Sequence, residues 1–253
     1  MINPRIIPCL LIRRNGLVKT VKFKDPKYIG DIVNTVRIFN EKEVDEIILV
    51  DILATVDNQE LRLDFLRDIV SECFMPVCYG GGIKRVEQIR QLFEVGVEKI
   101  SINAAALETP ELITEASAVF GAQSIVVSID IKKNLLGKYS VFSHGGKQDW
   151  RRDPVEHARE VEGRGAGEIL LHSIDRDGTM AGYDMPIIEK VANAVDIPVI
   201  ACGGAGSLSD FKQATQAGAS ALAAGSQFVF HGKHRAVLVT YPSRQEIRDL
   251  FTP

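Results

Sequence analysis

The sequence is poor in cysteine, with four in 253 residues, and none of them falls in a CxxC spacing. Three of the four lie in or beside apolar runs, where a free thiol behaves as a small hydrophobe. The five histidines add no metal-ligand spacing, so we expect neither a metal nor another cofactor. These features predict a disulfide-free, cytoplasmic protein.

Long apolar runs and an excess of one charge are also missing. No stretch approaches the roughly 20 apolar residues that a membrane helix needs, and the start, MINPRIIPCLLIRR, is too short in its apolar part for a signal peptide. The net charge is −3, with both signs interleaved along the chain. This balance argues against nucleic acid or an anionic membrane as the main partner.

Short apolar runs recur along the chain and predict eight buried parallel strands. They cover residues 5–12, 46–51, 76–79, 99–102, 124–131, 169–171, 197–201 and 219–224. Helical spacing lies between them, at residues 28–40, 57–70 (N-capped by Asp57 or Asn58), 86–96, 108–120, 154–164, 185–195 and 208–217. Residues 13–27 predict a loop or short hairpin, residues 132–150 a polar excursion, and residues 243–246 a capping box before a last helix.

Strands that alternate with helices indicate an α/β fold with a parallel sheet. Eight strands in 253 residues suit a single (β/α)8 TIM barrel over residues 1–253, whereas an open doubly wound sheet is the alternative. An internal two-fold half-barrel repeat favours the closed barrel. Glu168 and the aliphatic run after it echo Glu46, 122 positions earlier, and GGA at 203–205 echoes GGG at 80–82.

Two glycine clusters follow predicted strands and suggest phosphate binding, because bare backbone N–H groups near helix N-termini cradle phosphate. One cluster follows strand seven and matches the common phosphate site of barrels. The other would be its symmetric twin, so the pair predicts a substrate with two phosphates. The residues concerned are Gly203, Gly204, Gly225 and Ser226 in the first site, and Gly81, Gly82 and Asn103 in the twin. Alternatively, the glycines only permit tight turns.

Asp130 ends an otherwise apolar strand, where burial would raise the pKa of its carboxyl group towards acid–base use. The alternative is an N-cap, or an ion pair with Lys132 or Lys133. His172 lies within strand six, where a core histidine with satisfied hydrogen bonds is the commoner outcome. Asp175 and Asp177 share a loop, and at least one of them is expected to be structural.

Four charges stand at the beginnings of predicted strands, at the opposite mouth of the barrel: Arg5, Glu46, Lys99 and Glu168. Together they could form a ring of salt bridges that closes the bottom. The residues alone favour a stabilising role for such a ring, since the bottom face usually serves stability.

The sequence resembles the cyclase subunit of imidazole glycerol phosphate synthase. The similar stretches are RIIPCL near the start, GGGI at 80–83, KISINAAA at 99–106, AGEILLHSIDRDGTMAGYD at 166–184 and ACGGAG at 201–206. The resemblance covers nearly the whole chain, and the last twenty or so residues are least alike.

This resemblance implies a barrel that receives ammonia from a separate glutaminase subunit docked on its bottom face. The four bottom charges would gate the ammonia, which crosses the barrel to a diphosphorylated substrate at the top. Two aspartates act as acid and base in the family, and one of them corresponds to Asp130. Lys19 and Asp177 are also kept, as are Gly178 and Thr179 in the SIDRDGT signature.

The second catalytic aspartate of the family is absent, since Leu11 stands in its place. Ala104 and His172 replace family threonines, and Cys202 replaces a serine. A leucine cannot transfer a proton, and acid–base catalysis typically contributes about two to four powers of ten in rate. The chain thus looks most like paralogues found with surface-polysaccharide biosynthesis, where a third protein converts a sugar acetamido group to an acetamidino group.

Three hypotheses follow. The first is the histidine-pathway cyclase, and the second, which the sequence favours, is the ammonia-delivering paralogue. The third is an inert scaffold that only activates a glutaminase.

Overall fold

A computed structural model of the protein describes residues 3–134, 136–232 and 234–252. The strands are β1 (Arg5–Arg13), β2 (Gly16–Val21), β3 (Lys24–Asp31), β4 (Ile47–Asp51), β5 (Val77–Gly80), β6 (Lys99–Ile102), β7 (Ile125–Lys133), β8 (Tyr139–Ser143), β9 (Gln148–Asp149), β10 (Glu168–Ser173), β11 (Val199–Cys202), β12 (Ala221–Ala224), β13 (Phe230–His231) and β14 (Ala236–Val237). The helices are α1 (Ile32–Glu41), α2 (Leu63–Val70), α3 (Val86–Glu94), α4 (Ala104–Glu108), α5 (Glu111–Phe120), α6 (Pro154–Gly163), α7 (Met185–Ala192), α8 (Leu208–Gln216), α9 (Ser226–Val229) and α10 (Arg244–Phe251), and a 3₁₀ turn covers Ala122–Ser124.

Eight strands form a closed parallel barrel with helices between them, as the sequence predicts. The order of pairing is β1, β4, β5, β6, β7, β10, β11 and β12, and β12 pairs with β1 again. The two halves of the barrel hold equivalent features, because Glu46 precedes the second barrel strand and Glu168 begins the sixth. The prediction of a (β/α)8 barrel is therefore confirmed.

Two layers of apolar side chains hold the barrel together. The outward-facing residues of the strands pack under the helices in one continuous core that includes Phe39, Phe211 and Phe228. The inward-facing residues fill the barrel itself, and many are small: Cys78, Ala221 and Ala223 stand beside Ile7, Ile48, Val126, Leu170 and Ile200. Fully burying one large aliphatic side chain contributes about 1.5–3 kcal/mol, so these layers dominate stability.

Two hairpins project from the carboxyl ends of the barrel strands, which we call the top. The hairpin of β2 and β3 continues directly from β1 and pairs with it from Leu11 to Arg13. The second hairpin pairs β8 with the long carboxyl end of β7 and then with β9. The predicted loop or hairpin at residues 13–27 is thus a hairpin, and the polar excursion at 132–150 contains another.

Several predicted boundaries are wrong. The first helix begins at Ile32 rather than at residue 28, because β3 pairs with β2 as far as Asp31, whose carboxylate caps the helix. The second helix begins at Leu63, not after Asp57 or Asn58. The helix at 108–120 is divided into α4 and α5. The capping box at Ser243 is confirmed, since its hydroxyl accepts the Glu246 N–H at 3.2 Å.

In the described part of the chain, none of the helices has the length and apolar character required to cross a membrane. Four free cysteines are present, three of them buried.

Candidate active site

The top of the barrel contains a cavity of about 320 Å³ and, beside it, a narrow recess of about 20 Å³. Leu11 and His172 line both, so these two side chains form the boundary between them. Of the predicted site residues, Gly81, Gly82, Asn103 and Asp130 line the cavity. The recess is lined by Lys19, Asp177, Gly178, Gly203, Gly204, Gly225 and Ser226.

Asp130 is a buried carboxyl group at the cavity. The Ser128 hydroxyl donates a hydrogen bond to its Oδ1 at 3.1 Å, and Asp130 is the register partner of His172 on the adjacent strand. Burial raises the pKa of Asp130 to about 6, although the nearby His172 acts in the opposite direction. The alternative of an ion pair with lysine is wrong for Lys133, whose Nζ lies 3.3 Å from Asp184. The position suits acid–base chemistry near neutral pH.

His172 faces this site rather than the outer core. Its Nε2 lies 3.7 Å from Asp177 Oδ1, which is too long for a hydrogen bond but makes an ion pair when the imidazole is protonated. Burial alone would lower the pKa of His172, but the carboxylates of Asp177 and Asp130 outweigh burial and raise that pKa. The Phe23 ring packs edge-on against the imidazole, with ring centroids 4.8 Å apart. The expectation of a core histidine is therefore replaced by a buried imidazole that lines the candidate site near the carboxyl groups of Asp177 and Asp130.

Asp177 holds the first hairpin over the barrel mouth. Its Oδ2 accepts hydrogen bonds from the Thr20 hydroxyl at 2.7 Å and from the Phe23 N–H at 3.2 Å, and its carbonyl accepts the Lys22 N–H at 3.0 Å. Burial alone would raise the pKa of Asp177, but His172 and these donors lower it. Asp175 also has a structural role, because its Oδ2 accepts the Lys133 N–H at 2.9 Å.

Lys19 reaches from the hairpin into the recess. Its Nζ donates a hydrogen bond to the Cys9 carbonyl at 2.5 Å, and burial lowers the pKa of its ammonium group. A Cβ on residue 225 would lie 2.0 Å from Nζ, so only glycine leaves room for the lysine there. The ammonium group thus lies directly beside Gly225, in the recess that Gly203 and Gly204 also line.

The glycine clusters meet the steric demands of tight turns. Gly81 has φ +123°, and a Cβ at this position would lie 2.5 Å from the Asp51 carbonyl oxygen. Gly203 has φ +90°, and a Cβ at this position would lie 2.6 Å from the Ser173 carbonyl oxygen. The Gly82 N–H is already donated to Thr55 Oγ1 at 3.1 Å. These contacts explain the glycines without a ligand, and phosphate binding at them stays a prediction.

Two predicted ligand residues hold loops together. Asn103 lines the cavity, and its Nδ2 donates to the carbonyls of Ser128 at 3.0 Å and Phe142 at 3.2 Å, which ties the start of α4 to β7 and β8. Thr179 is not among the described residues that line the cavity or the recess. Its hydroxyl donates to the Arg176 carbonyl at 2.7 Å within its own turn.

Leu11 occupies a position that faces the site. It pairs with Val18 in the hairpin and with Val50 in the next barrel strand, and only 7% of its surface is exposed. A carboxylate in its place would line both the cavity and the recess, as His172 does. The side chain instead adds an apolar wall.

The four charges at the barrel bottom form the predicted ring, which we call the charge ring (Arg5, Glu46, Lys99 and Glu168). Arg5 contacts Glu46 and lies 2.8 Å from Glu168, while Lys99 Nζ lies 3.1 Å from Glu46 and 3.2 Å from Glu168. Glu46 is buried, and its Oε1 has no hydrogen-bond partner among the described residues.

Sequence reasoning did not single out Ser128 or Phe23, which contact Asp130 and His172. Ser128 could have been found from the two-residue period of a strand, since it shares a face with Asp130. Phe23 could not, because its place depends on how the hairpin folds over the barrel.

The chain is similar throughout to known proteins. Residues 5–235 match the family model described as histidine biosynthesis protein. A Pseudomonas aeruginosa protein with the provisional name imidazole glycerol phosphate synthase subunit hisF2 is 55% identical over 96% of this chain and 97% of its own length. A Leptospira borgpetersenii protein, provisionally named as the HisF subunit, is 46% identical over 99% and 100%. The HisF subunit of Alkaliphilus metalliredigens is 44% identical over 91% and 92%.

Proposed function

Because the chain belongs to the histidine biosynthesis protein family, we propose that it is the synthase subunit of a glutamine-dependent amidotransferase. A separate glutaminase docks on the bottom face and releases ammonia, which crosses the barrel and is used at the top on a phosphorylated substrate or handed to a further protein.

The charge ring is the observation that carries this proposal. It closes the bottom of a barrel whose interior holds small side chains such as Cys78, Ala221 and Ala223. The buried Glu46 Oε1 offers an unused acceptor at the entrance, which suits an N–H donor as small as ammonia. Glu46 is buried and the other three ring side chains are partly exposed. Ion pairs in such surroundings contribute little net stability compared with apolar residues, so a role in passage explains the ring better than stability does.

Within this function, we favour the branch that supplies ammonia for the conversion of a sugar acetamido group to an acetamidino group. Leu11 is the reason, since it puts an apolar wall where the family cyclases place a proton-transferring aspartate. Lys19 and both glycine clusters remain, as does Asp130 with its raised pKa. A third, sugar-amidating protein would accept the ammonia.

The alternative is the histidine-pathway cyclase, and Asp130 with His172 is the observation in its favour. An imidazole with a raised pKa beside a buried carboxyl group could supply the two proton-transferring groups that the reaction needs.

Turnover of the purified chain with ammonium and the phosphoribulosyl substrate of the cyclase separates the two branches. We expect no imidazole glycerol phosphate from a folded chain that still binds and stimulates a glutaminase. Clear turnover would place the chain in the histidine pathway. In that case L11D should increase the rate if the aspartate is still needed.

A non-catalytic scaffold is the third possibility, and Asp130→Asn tests it in the complete pathway. A scaffold keeps the pathway product in this variant, whereas loss of the product with an intact complex would exclude a scaffold.

A further inference from the structure

Phe74 is an unexplained feature of the bottom face. It lies in the loop between α2 and β5, and 87% of its surface is exposed, although it is the largest apolar side chain in that loop. Its neighbour Met75 is buried, so the backbone turns one side chain inward and leaves the ring in solvent. Exposing a phenylalanine forgoes the free energy that its burial would contribute.

The loop that carries Phe74 is tied to α1 by hydrogen bonds. The Phe74 N–H donates to Asn40 Oδ1 at 3.1 Å, and Asn40 Nδ2 in turn donates to the Glu72 carbonyl. The Arg37 guanidinium donates two hydrogen bonds to the Glu72 carboxylate, at 3.0 and 2.6 Å. A ring presented by an ordered loop loses little conformational freedom when a partner covers it.

This loop is continuous with the charge ring. The Pro76 carbonyl, two residues after Phe74, accepts the N–H of Ile47 at 2.9 Å, and Ile47 follows the ring residue Glu46. Two exposed carboxylates, Asp45 and Glu98, stand beside ring residues in sequence. The bottom face therefore presents an exposed aromatic ring with acidic groups near the barrel entrance.

We propose that Phe74 is the apolar anchor of the docking surface for the glutaminase subunit, and that it inserts into an apolar pocket with a basic rim on that subunit. This inference rests on the proposed function and adds the residue that fixes the partner over the ring. Aromatic residues in desolvated pockets dominate protein interfaces, and the acidic neighbours would speed association with a basic rim.

The test is the affinity of the full chain for the glutaminase subunit of the same organism, measured by calorimetry. F74A should raise the Kd about ten- to a hundredfold, the range that burial of one phenylalanine provides, and F74L should raise it less. L136A is the matched control, because Leu136 is 92% exposed but lies on the second hairpin at the top. Thermal unfolding of each variant alone checks the fold.

The stimulation of glutamine hydrolysis is a second measurement, which distinguishes a residue that only fixes the partner from one that acts with the charge ring in passage. At a chain concentration well above the new Kd, F74A should restore the full stimulation of glutamine hydrolysis. An unchanged Kd for F74A, or an equal loss in L136A, would overturn the inference and leave the proposed function standing. If F74A instead disrupts a dimer of this chain, the ring serves a second copy and the inference is wrong. Absence of any complex with the unaltered chain would overturn the proposed function, and the anchor with it.

Discussion

The imidazole of His172 lies 3.7 Å from the carboxylate of Asp177, and the same carboxylate accepts the Thr20 hydroxyl and the Phe23 N–H of the hairpin above it. Asp177 thus connects the charge of His172 at the cavity to the position of the first hairpin over the barrel mouth. The SIDRDGT loop and the first hairpin are thus joined through one carboxylate.

Asp177→Asn should loosen the hairpin and lower the pKa of His172. Hydrogen bonds to a charged acceptor are stronger than those to a neutral one, so we expect the Phe23 amide to exchange about ten times faster. The pKa of His172 is raised in the folded protein, so its ion pair stabilises below about pH 6.5 and is lost as the pH rises through the folded pKa. T20V removes one hairpin contact but should leave the pKa of His172, measured by NMR, unchanged.

The Asp130 carboxyl group should make the protein less stable as the pH rises. Its pKa is raised from 3.8 to about 6, so the stability of the neutral form is complete below about pH 4 and is lost as the pH rises through about 6. The loss corresponds to about 3 kcal/mol. Asp130→Asn should remove this dependence, as urea unfolding between pH 4 and 8 would reveal. A constant difference between variant and parent would contradict the buried, neutral carboxyl group.

Lys99→Met should break the charge ring and, on the proposed function, uncouple glutamine hydrolysis from the use of ammonia. Glu46 and Glu168 would each lose a partner, and we expect a loss of about 2 kcal/mol in unfolding free energy, below the roughly 3–5 kcal/mol of a fully buried pair. Product made from glutamine should fall, while product made from added ammonium is retained. K190M removes an exposed lysine from α7 and should change neither quantity measurably.

Gly178→Ala should push the first hairpin away from the barrel. Gly178 has φ +67°, and an added Cβ would lie 2.1 Å from the Thr20 carbonyl oxygen. Gly137 has a similar φ of +76° with no atom within 4 Å of that Cβ, so G137A shows the backbone cost alone, about 1 kcal/mol. We expect at least about 3 kcal/mol for G178A. Equal losses in denaturant unfolding would show that the hairpin contact adds nothing.

Local patterns were sufficient for the barrel strands and the charge ring. The eight apolar runs alternate with helical segments, and Glu46 and Glu168 stand at equivalent places at the beginnings of two of them. Their meeting at one mouth therefore follows from the closure of the barrel. The extent of β3 and the division of α4 from α5 depend on pairing and packing between distant segments, which override helical spacing.

The candidate site could be predicted only in part for the same reason. Asp130 was evident because a carboxylate ended an apolar strand. The contacts of His172 and Lys19 were not, since both depend on a hairpin that folds over the barrel. Thr179 illustrates the opposite case, because a residue in a recognisable motif serves its own turn.

Every member of the charge ring has two partners, since Arg5 and Lys99 each contact both Glu46 and Glu168. If any one side chain of the ring is removed, each of the other three charges keeps a counter-charge. Charge compensation at this mouth of the barrel is therefore redundant, and it does not depend on any single member of the four.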